Sequence, residues 1–493
     1  MALNTRNPRY DWEFYTEPQV HVQNRKIQSS RGKGLGGSSM QNFLAFGENL
    51  CPINLSADVA KDFAVVPDPS SHGMNGPIVV SFPPYVSPIH KDTLDSLDGL
   101  GLLRNSESIC IYFFGYILYY FLTFLQPFLV QQSAGRNVGS LLVPTAVDPK
   151  TATRSYSASA YLAPNVERNN LLVLTEAFVL KVRFEKQENN LHRAEAVDLV
   201  VDDEQLSVEA NKEIILCAGT FQAPQLLEVS GIGNRDLLSN LSIECLIDLP
   251  GVGENLQDHM LSPIVVQIDQ NMLTVESLRD PEQLKLQQEL YDTANVKRWA
   301  ASATIEASSP EAFVKTPPSA LNGIKKQYEI MRTWIDSIHP LGQLLNLNGL
   351  FPVLGFIPDP SKRYMTMLAA YIHPLSRGTV HITSKDAQVP PAIQPNYLAN
   401  PADLDILCKT VKFAYKVTRY VQETMLTVHH PVGAASMMPR EDGGVIDPSL
   451  LVYGTSNLRV VDCSIIPLEI SCNIQTLAYA IGEKAADIIK QTA

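Results

Sequence analysis

The chain has 493 residues, too many for one ordinary core, so the length predicts two domains or one large two-lobed protein. A composition of 45% hydrophobic and 18% charged residues is that of a globular protein; it excludes a disordered chain, and no fixed-period repeat runs through it. A net charge of −12 without a basic stripe excludes non-specific nucleic-acid binding. Seven scattered cysteines with no Cys-x-x-Cys pair exclude a disulfide scaffold and a structural zinc site.

The N-terminus, Met1-Ala-Leu-Asn-Thr-Arg-Asn-Pro-Arg9, has no apolar core of a secretory signal, which makes the cytoplasm the default location. The short sequons at Asn54 and Asn240 do not outweigh that. Residues 31–40 are glycine-rich, and Gly32-x-Gly34-x-x-Gly37 matches a dinucleotide fingerprint, but the polar Gln23–Ser30 precedes it where a buried strand is needed. Two readings stay open for this segment: a plain glycine turn, or backbone approaching a bulky ligand with Ser38, Ser39 and Asn42 supplying hydrogen bonds.

From Ser108 to Gly135 no residue is charged, and Ile109–Val130 is long enough to span a bilayer. Its nine aromatics are spread along the run and not gathered into belts at its ends. A membrane anchor, a buried core helix and translated non-coding sequence from a missed splice all remain open for it.

Residues 171–181 and 195–201 read as strands, and Glu213–Gly219 as a buried strand entering a glycine turn. Thr220–Val229 reads as a helix with Pro224 in its first turns, closed by Ser230-Gly-Ile-Gly233. A further glycine turn follows at Leu249-Pro-Gly-Val-Gly-Glu-Asn-Leu-Gln-Asp-His259. Strand, turn and helix in this order predict an α/β core. Between about 262 and 425, helical stretches (282–296, 323–338, 402–420) alternate with short strands such as Met365–Tyr371 and Gly378–Ile382, which reads as a cap. Ile474–Lys490 reads as an amphipathic terminal helix.

The chemistry concentrates near the C-terminus. His430-Pro-Val-Gly433 is followed by Ser471-Cys-Asn-Ile-Gln-Thr476. A neutral imidazole is a suitable base for a hydroxyl proton near neutral pH, and a nearby amide can hold the developing alkoxide. The pair suggests alcohol oxidation by hydride transfer, given a cofactor to take the hydride. His429 is a rival base; on a strand adjacent side chains face opposite ways, so only one of the two can face the cofactor, and the neighbouring Pro-Val-Gly favours His430. Asn473 also reads as an N-cap of the terminal helix, a role compatible with the first.

Five ordered blocks (Gly32–Asn42; Gly219–Pro224 through Ser230–Gly233; Leu249–His259; His430–Gly433 with Gly444–Asp447; Leu458–Asp462 with Glu483–Asp487) resemble the glucose-methanol-choline (GMC) family of FAD-dependent oxidoreductases, in a fungal form. The resemblance covers nearly all of 10–493 outside the apolar run. It departs at Gln41, at Ala223, and at Ala434, where the family usually has threonine.

The resemblance implies an α/β fold with an α+β cap. An FAD-binding domain would be built from 1–50, 165–262 and 426–493, and a substrate domain with an antiparallel sheet and helices from 51–164 and 263–425, with 105–130 as an anomalous insert. It implies FAD as cofactor, a small-molecule alcohol as partner, His430 as base and Asn473 orienting the substrate oxygen. Gly36, Gly37, Ser38 and Asn42 would face the flavin or its phosphates, Val179 the adenine, and Asp462 with Asn473–Gln475 the ribityl chain and ring. No metal is implied. Family members begin with a strand, a Gly-x-Gly-x-x-Gly turn and a helix, and this sequence starts after that unit. The expectation is an incomplete gene model, or a remnant without FAD, with apolar sheet edges left uncovered. Substrate identity, oxidase against dehydrogenase, and oligomeric state have no signature here.

Overall fold

The computed structural model describes residues 7–40, 49–50, 57–62, 76–82, 86, 88–99, 139–142, 145–151, 153–271, 274, 276–277, 280–283, 285–286, 303–307, 322–335, 342–347, 349–350, 359, 361–414, 425–470 and 474–492. The apolar run 105–130, the Asn54 sequon, Asn42 and Asn473 lie outside the described residues, as do most of 282–296 and all of 415–420. Among the described residues no helix is long and apolar enough to cross a membrane.

Two β systems organise the chain. The larger is a six-stranded antiparallel sheet in the order Leu426–Thr427, Met260–Ile268, Arg363–Tyr371, Gly342–Leu347, Ala303–Ala307, Gly139–Leu142. Its two central strands are nine residues each, longer than the short strands expected of this region. Alternation sorts Arg363–Tyr371 between two cores. Ala369 and Tyr371 join one with Met260, Leu344, Leu407 and Val411, while Leu368 and Ala370 join another with Leu261 and Leu345. Helix Pro401–Ala414 covers the first face. Tyr371 and Leu407 are fully buried, and each such side chain contributes about 1.5–3 kcal/mol relative to exposure.

The second system is α/β, as the strand–turn–helix order predicts. Ile214–Leu216 pairs in parallel with Leu458–Val460. The helix Gly219–Val229 follows directly and packs Leu226, Leu227 and Val229 on a core with Val445, Ile446, Leu458, Val460 and Ala485. Ser230 stops it by donating its hydroxyl back to the Leu226 carbonyl at 2.5 Å. Beside this core lies a three-stranded antiparallel meander, Phe178–Lys186, His192–Val201 and Glu204–Glu209. The terminal helix runs Gln475–Thr492.

One expected strand is shortened. The apolar run within 171–181 becomes a strand only from Phe178; residues 171–177 form none, and Leu172 is 90% exposed with Leu174 at 53%. A strand forms where a neighbour takes its N–H and C=O groups, and no described residue pairs with 171–177.

Candidate active site

Strand register brings the histidines together. Met260 and Leu261 pair antiparallel with Thr427 and Leu426, and three residues upstream Gln257 pairs with Val432. Between these pairings one strand spends two residues, Asp258 and His259, and the other four, Val428 to Pro431. The two extra residues bulge, and His429 adopts φ 62. The expected strand alternation therefore does not apply to His429 and His430, because the short strand ends at Thr427. Gly433 at φ 94 closes the bulge: a Cβ there would lie 2.4 Å from the Asn255 carbonyl, which is why His-Pro-Val is followed by glycine.

Asp258 holds the bulge from below. Its Oδ1 accepts the His430 N–H at 2.9 Å; its Oδ2 accepts the Tyr397 hydroxyl at 2.5 Å and the Thr427 hydroxyl. Arg31 donates from Nη2 to the His429 carbonyl at 2.6 Å, its guanidinium carbon 5.5 Å from the Phe221 ring centre. Thr220, in the first turn of its helix, donates to the Pro431 carbonyl at 2.7 Å. The backbone of His430 is thus held from three separate stretches of chain.

The side chain of His430 is 3% exposed, and its Nδ1 lies 3.1 Å from Nδ1 of His259. The other nitrogen of His259, Nε2, lies 3.1 Å from the Ile470 carbonyl. A carbonyl only accepts, so the Ile470 contact favours the His259 tautomer with its proton on Nε2 and a bare Nδ1 toward His430; the Ile372 carbonyl also bonds this ring. His430 must then donate from Nδ1, which leaves its lone pair on Nε2. Both rings are neutral: burial pulls His259 down to about 4, and burial, then His259, Arg31 and His429, pull His430 well below its ordinary value. His429 is also neutral, lowered to about 4 by burial and Arg31, and its buried Nδ1 has no partner among the described residues.

The other predicted residues lie on two flanks. Asp462 accepts the Gly219 N–H at 3.0 Å and the Ser464 N–H at 2.8 Å, joining the end of Leu458–Val460 to the start of the Gly219 helix. Residues 435 and 437 bond to the Ser464 and Ile465 carbonyls, so this flank is continuous with the His430 bulge. Gln475 is 5% exposed at the start of the terminal helix. Asn473 itself lies outside the described residues; Ile470 and Ile474 on either side pack on Val432, two residues from His430.

On the other flank, Gly36 meets the Tyr156 ring, and the Ser38 hydroxyl accepts the Gly32 N–H at 3.1 Å within its own loop, while nothing lies within 4 Å of a Cβ added at Gly37. Gly37–Met40 is a 3-10 turn. Val179 sits in the meander, paired with Leu199 and packed on the same core as Ala218.

Several groups around these flanks suit a large polar ligand. The buried Ser464 Oγ, Gln475 Oε1 and the Nε and Nη2 of Arg154 have no partner among the described residues. Arg154 stays cationic, lowered only to about 10 by burial, with Tyr479 and Tyr156 beside it. Gly219, at φ 79, has nothing within 4 Å of an added Cβ. Among the described residues no cluster of His, Cys, Asp or Glu could hold a metal ion.

An α/β core and a six-stranded antiparallel sheet, with a buried, neutral histidine pair at the bulge, define a two-part α/β protein. Family models described as GMC oxidoreductase match residues 131–261, 374–419 and 411–482. The GMC oxidoreductase family protein Mala s 12 of Malassezia sympodialis is 30% identical over 98% of this chain and 83% of its own length. Dehydrogenase citC of Monascus ruber is 27% identical over 98% and 88%. Among solved structures, an FAD-dependent oxidoreductase from Chaetomium thermophilum superposes with TM-score 0.80 at 22% identity, over 98% of this chain and 90% of that one. A fungal aryl-alcohol oxidase superposes at 0.78 and 22%, over 98% and 89%. The chain belongs to the GMC oxidoreductase family. It is accordingly an oxidoreductase, and FAD is its cofactor.

Sequence reasoning found His430 but gave no role to His259, Asp258, Thr220 or Arg31. Asp258 and His259 stood in the family-typical stretch Leu249–His259, which was the available signal.

Proposed function

We propose that the chain oxidises the CH–OH group of a small-molecule alcohol, with His430 Nε2 receiving the hydroxyl proton. The observation that carries this is the carbonyl-anchored file Ile470–His259–His430, which directs the lone pair of a neutral His430 to Nε2. Bound FAD supplies the hydride acceptor.

The chain's own part is to present the base, orient the alcohol and hold the cofactor. Asn473 is assigned the substrate oxygen, flanked by two residues that pack against the bulge. Asp462, Ser464, Gln475 and the open side of Gly219 are assigned one wall of the cofactor site and Gly36, Gly37, Ser38 and Arg154 the other; the family resemblance assigns Asn42 to the flavin or its phosphates and Val179 to the adenine end. The expected substrates are small alcohols, including precursors in fungal secondary metabolism.

Purified protein tests both halves. Yellow protein, or flavin absorbance gained on adding FAD, is expected; a colourless preparation that takes up no flavin would sink the assignment of the cofactor walls. His430→Ala should lose on the order of 10²–10⁴-fold in anaerobic flavin reduction by an alcohol while keeping its colour. Loss of colour in that variant would mean that His430 is structural.

A further inference from the structure

Glu469 is a buried acid that the site as described does not use. Its side chain is 1% exposed, and neither carboxyl oxygen has a hydrogen-bond partner of good geometry among the described residues. Its Oε1 lies 3.5 Å from Nε2 of His259, on the side of that ring away from His430. The Glu469 N–H donates to Gln257 Oε1 at 3.2 Å, which ties its backbone to the stretch that carries His259. The His259 N–H therefore points between two acceptors, the Ile470 carbonyl and this carboxyl group.

We propose that Glu469 is the terminal proton acceptor behind the base, so that the substrate's hydroxyl proton is compensated by a proton arriving on its carboxylate. The proposal rests on His430 being the base. The substrate O–H bond breaks and an N–H bond forms at His430 Nε2. The His430 Nδ1 proton moves to His259 Nδ1, and the His259 Nε2 proton moves to Glu469 Oε1. Three bonds break and three form; both rings end neutral, and the carboxylate becomes a carboxylic acid. Without this step the abstracted proton leaves a cation on one of two buried imidazoles packed edge to face, where burial disfavours the charge.

Charged and titratable groups around Glu469 act in both directions. Burial, and then the charge on Asp258, push its carboxyl well above the usual range, and the Ile470 backbone N–H and then Arg377 oppose them. Cys463 also faces it but is itself pushed up to about 12. The acceptor form therefore grows in as pH rises, whereas both histidines are already neutral at pH 7.

The test compares wild type, Glu469→Gln and Glu469→Asp as flavin-loaded protein. The rate of anaerobic flavin reduction in wild type should rise with pH and level off. Glu469→Gln should lack the rise and run about 10- to 100-fold slower on the alkaline plateau, with KM unchanged. Glu469→Asp should restore a rise with a displaced midpoint. ¹⁵N-histidine NMR supplies a readout apart from turnover. The His259 Nε2 resonance should move with the same midpoint in wild type and stay still in Glu469→Gln. A Glu469→Gln enzyme with the wild-type pH profile and an unchanged His259 titration would overturn the proposal. Full activity in His430→Gln would instead overturn the base assignment, a separate outcome.

Discussion

The two flanks of the site are built differently. On the His430 flank, the backbone of the bulge is bonded by Asp258, Arg31 Nη2, Thr220 and the 463–465 backbone, while the carboxyl of Glu469 and His429 Nδ1 are among the side-chain groups with no partner among the described residues. On the Arg154 flank, buried polar nitrogens lack partners among the described residues, and nothing lies within 4 Å of a Cβ added at Gly37. Proton chemistry demands positions fixed to tenths of an ångström, so the chain makes those bonds itself. Cofactor binding requires donors still free to bond the ligand, so unpartnered groups belong there.

The largest effect expected from breaking this contrast is on the first flank. Asp258→Ala would leave the Tyr397 and Thr427 hydroxyls, the His430 N–H and the Arg31 charge buried without their acceptor, and should cost about 3–5 kcal/mol in denaturant unfolding. Arg154→Met should leave unfolding nearly unchanged yet weaken FAD binding by about 1.5–3 kcal/mol, read by flavin fluorescence titration. Equal losses of fold and cofactor in both variants would erase the distinction between the flanks.

A smaller effect concerns the joint between the α/β part and the strand Thr379–His381. His381 accepts or donates between Glu228 at 2.7 Å and Glu254 at 3.2 Å. Burial alone would lower His381, but the two carboxylates raise it to about 9; burial raises Glu228. A folded value above the unfolded one means that stability from His381 is full below about pH 6.5 and is lost as pH rises through about 9. Glu228 works in the same direction from lower pH. Tm should fall between pH 7 and 10, and His381→Gln should flatten that fall; an unchanged slope would refute the linkage. Least of all, Leu172→Ser, at a 90% exposed position, should change stability by no more than about 0.5 kcal/mol.

Local pattern carried some features well. The Gly219–Val229 helix with its serine-glycine stop and the terminal helix are written in residues that neighbour one another, so spacing and composition reveal them. The apolar run at 171–177 misled because a strand needs a partner as well as β-branched and aliphatic residues, and no described residue supplies one. His429 misled for a related reason: alternation presumes a strand, and the two-residue bulge ends the strand at Thr427.

By itself, the amino-acid sequence determined the class of protein and pointed to His430 as the candidate base, because ordered glycine turns, strands and a histidine-proline motif are local and survive without coordinates. The tertiary structure alone decided what His430 Nδ1 touches. That follows from the pairing of Met260 with Thr427, from a carbonyl at Ile470 and from a carboxyl group at Glu469, brought together from distant stretches of chain. A proton's position on an imidazole is set by what its other nitrogen touches, and contact across such separations exists only once the chain has folded.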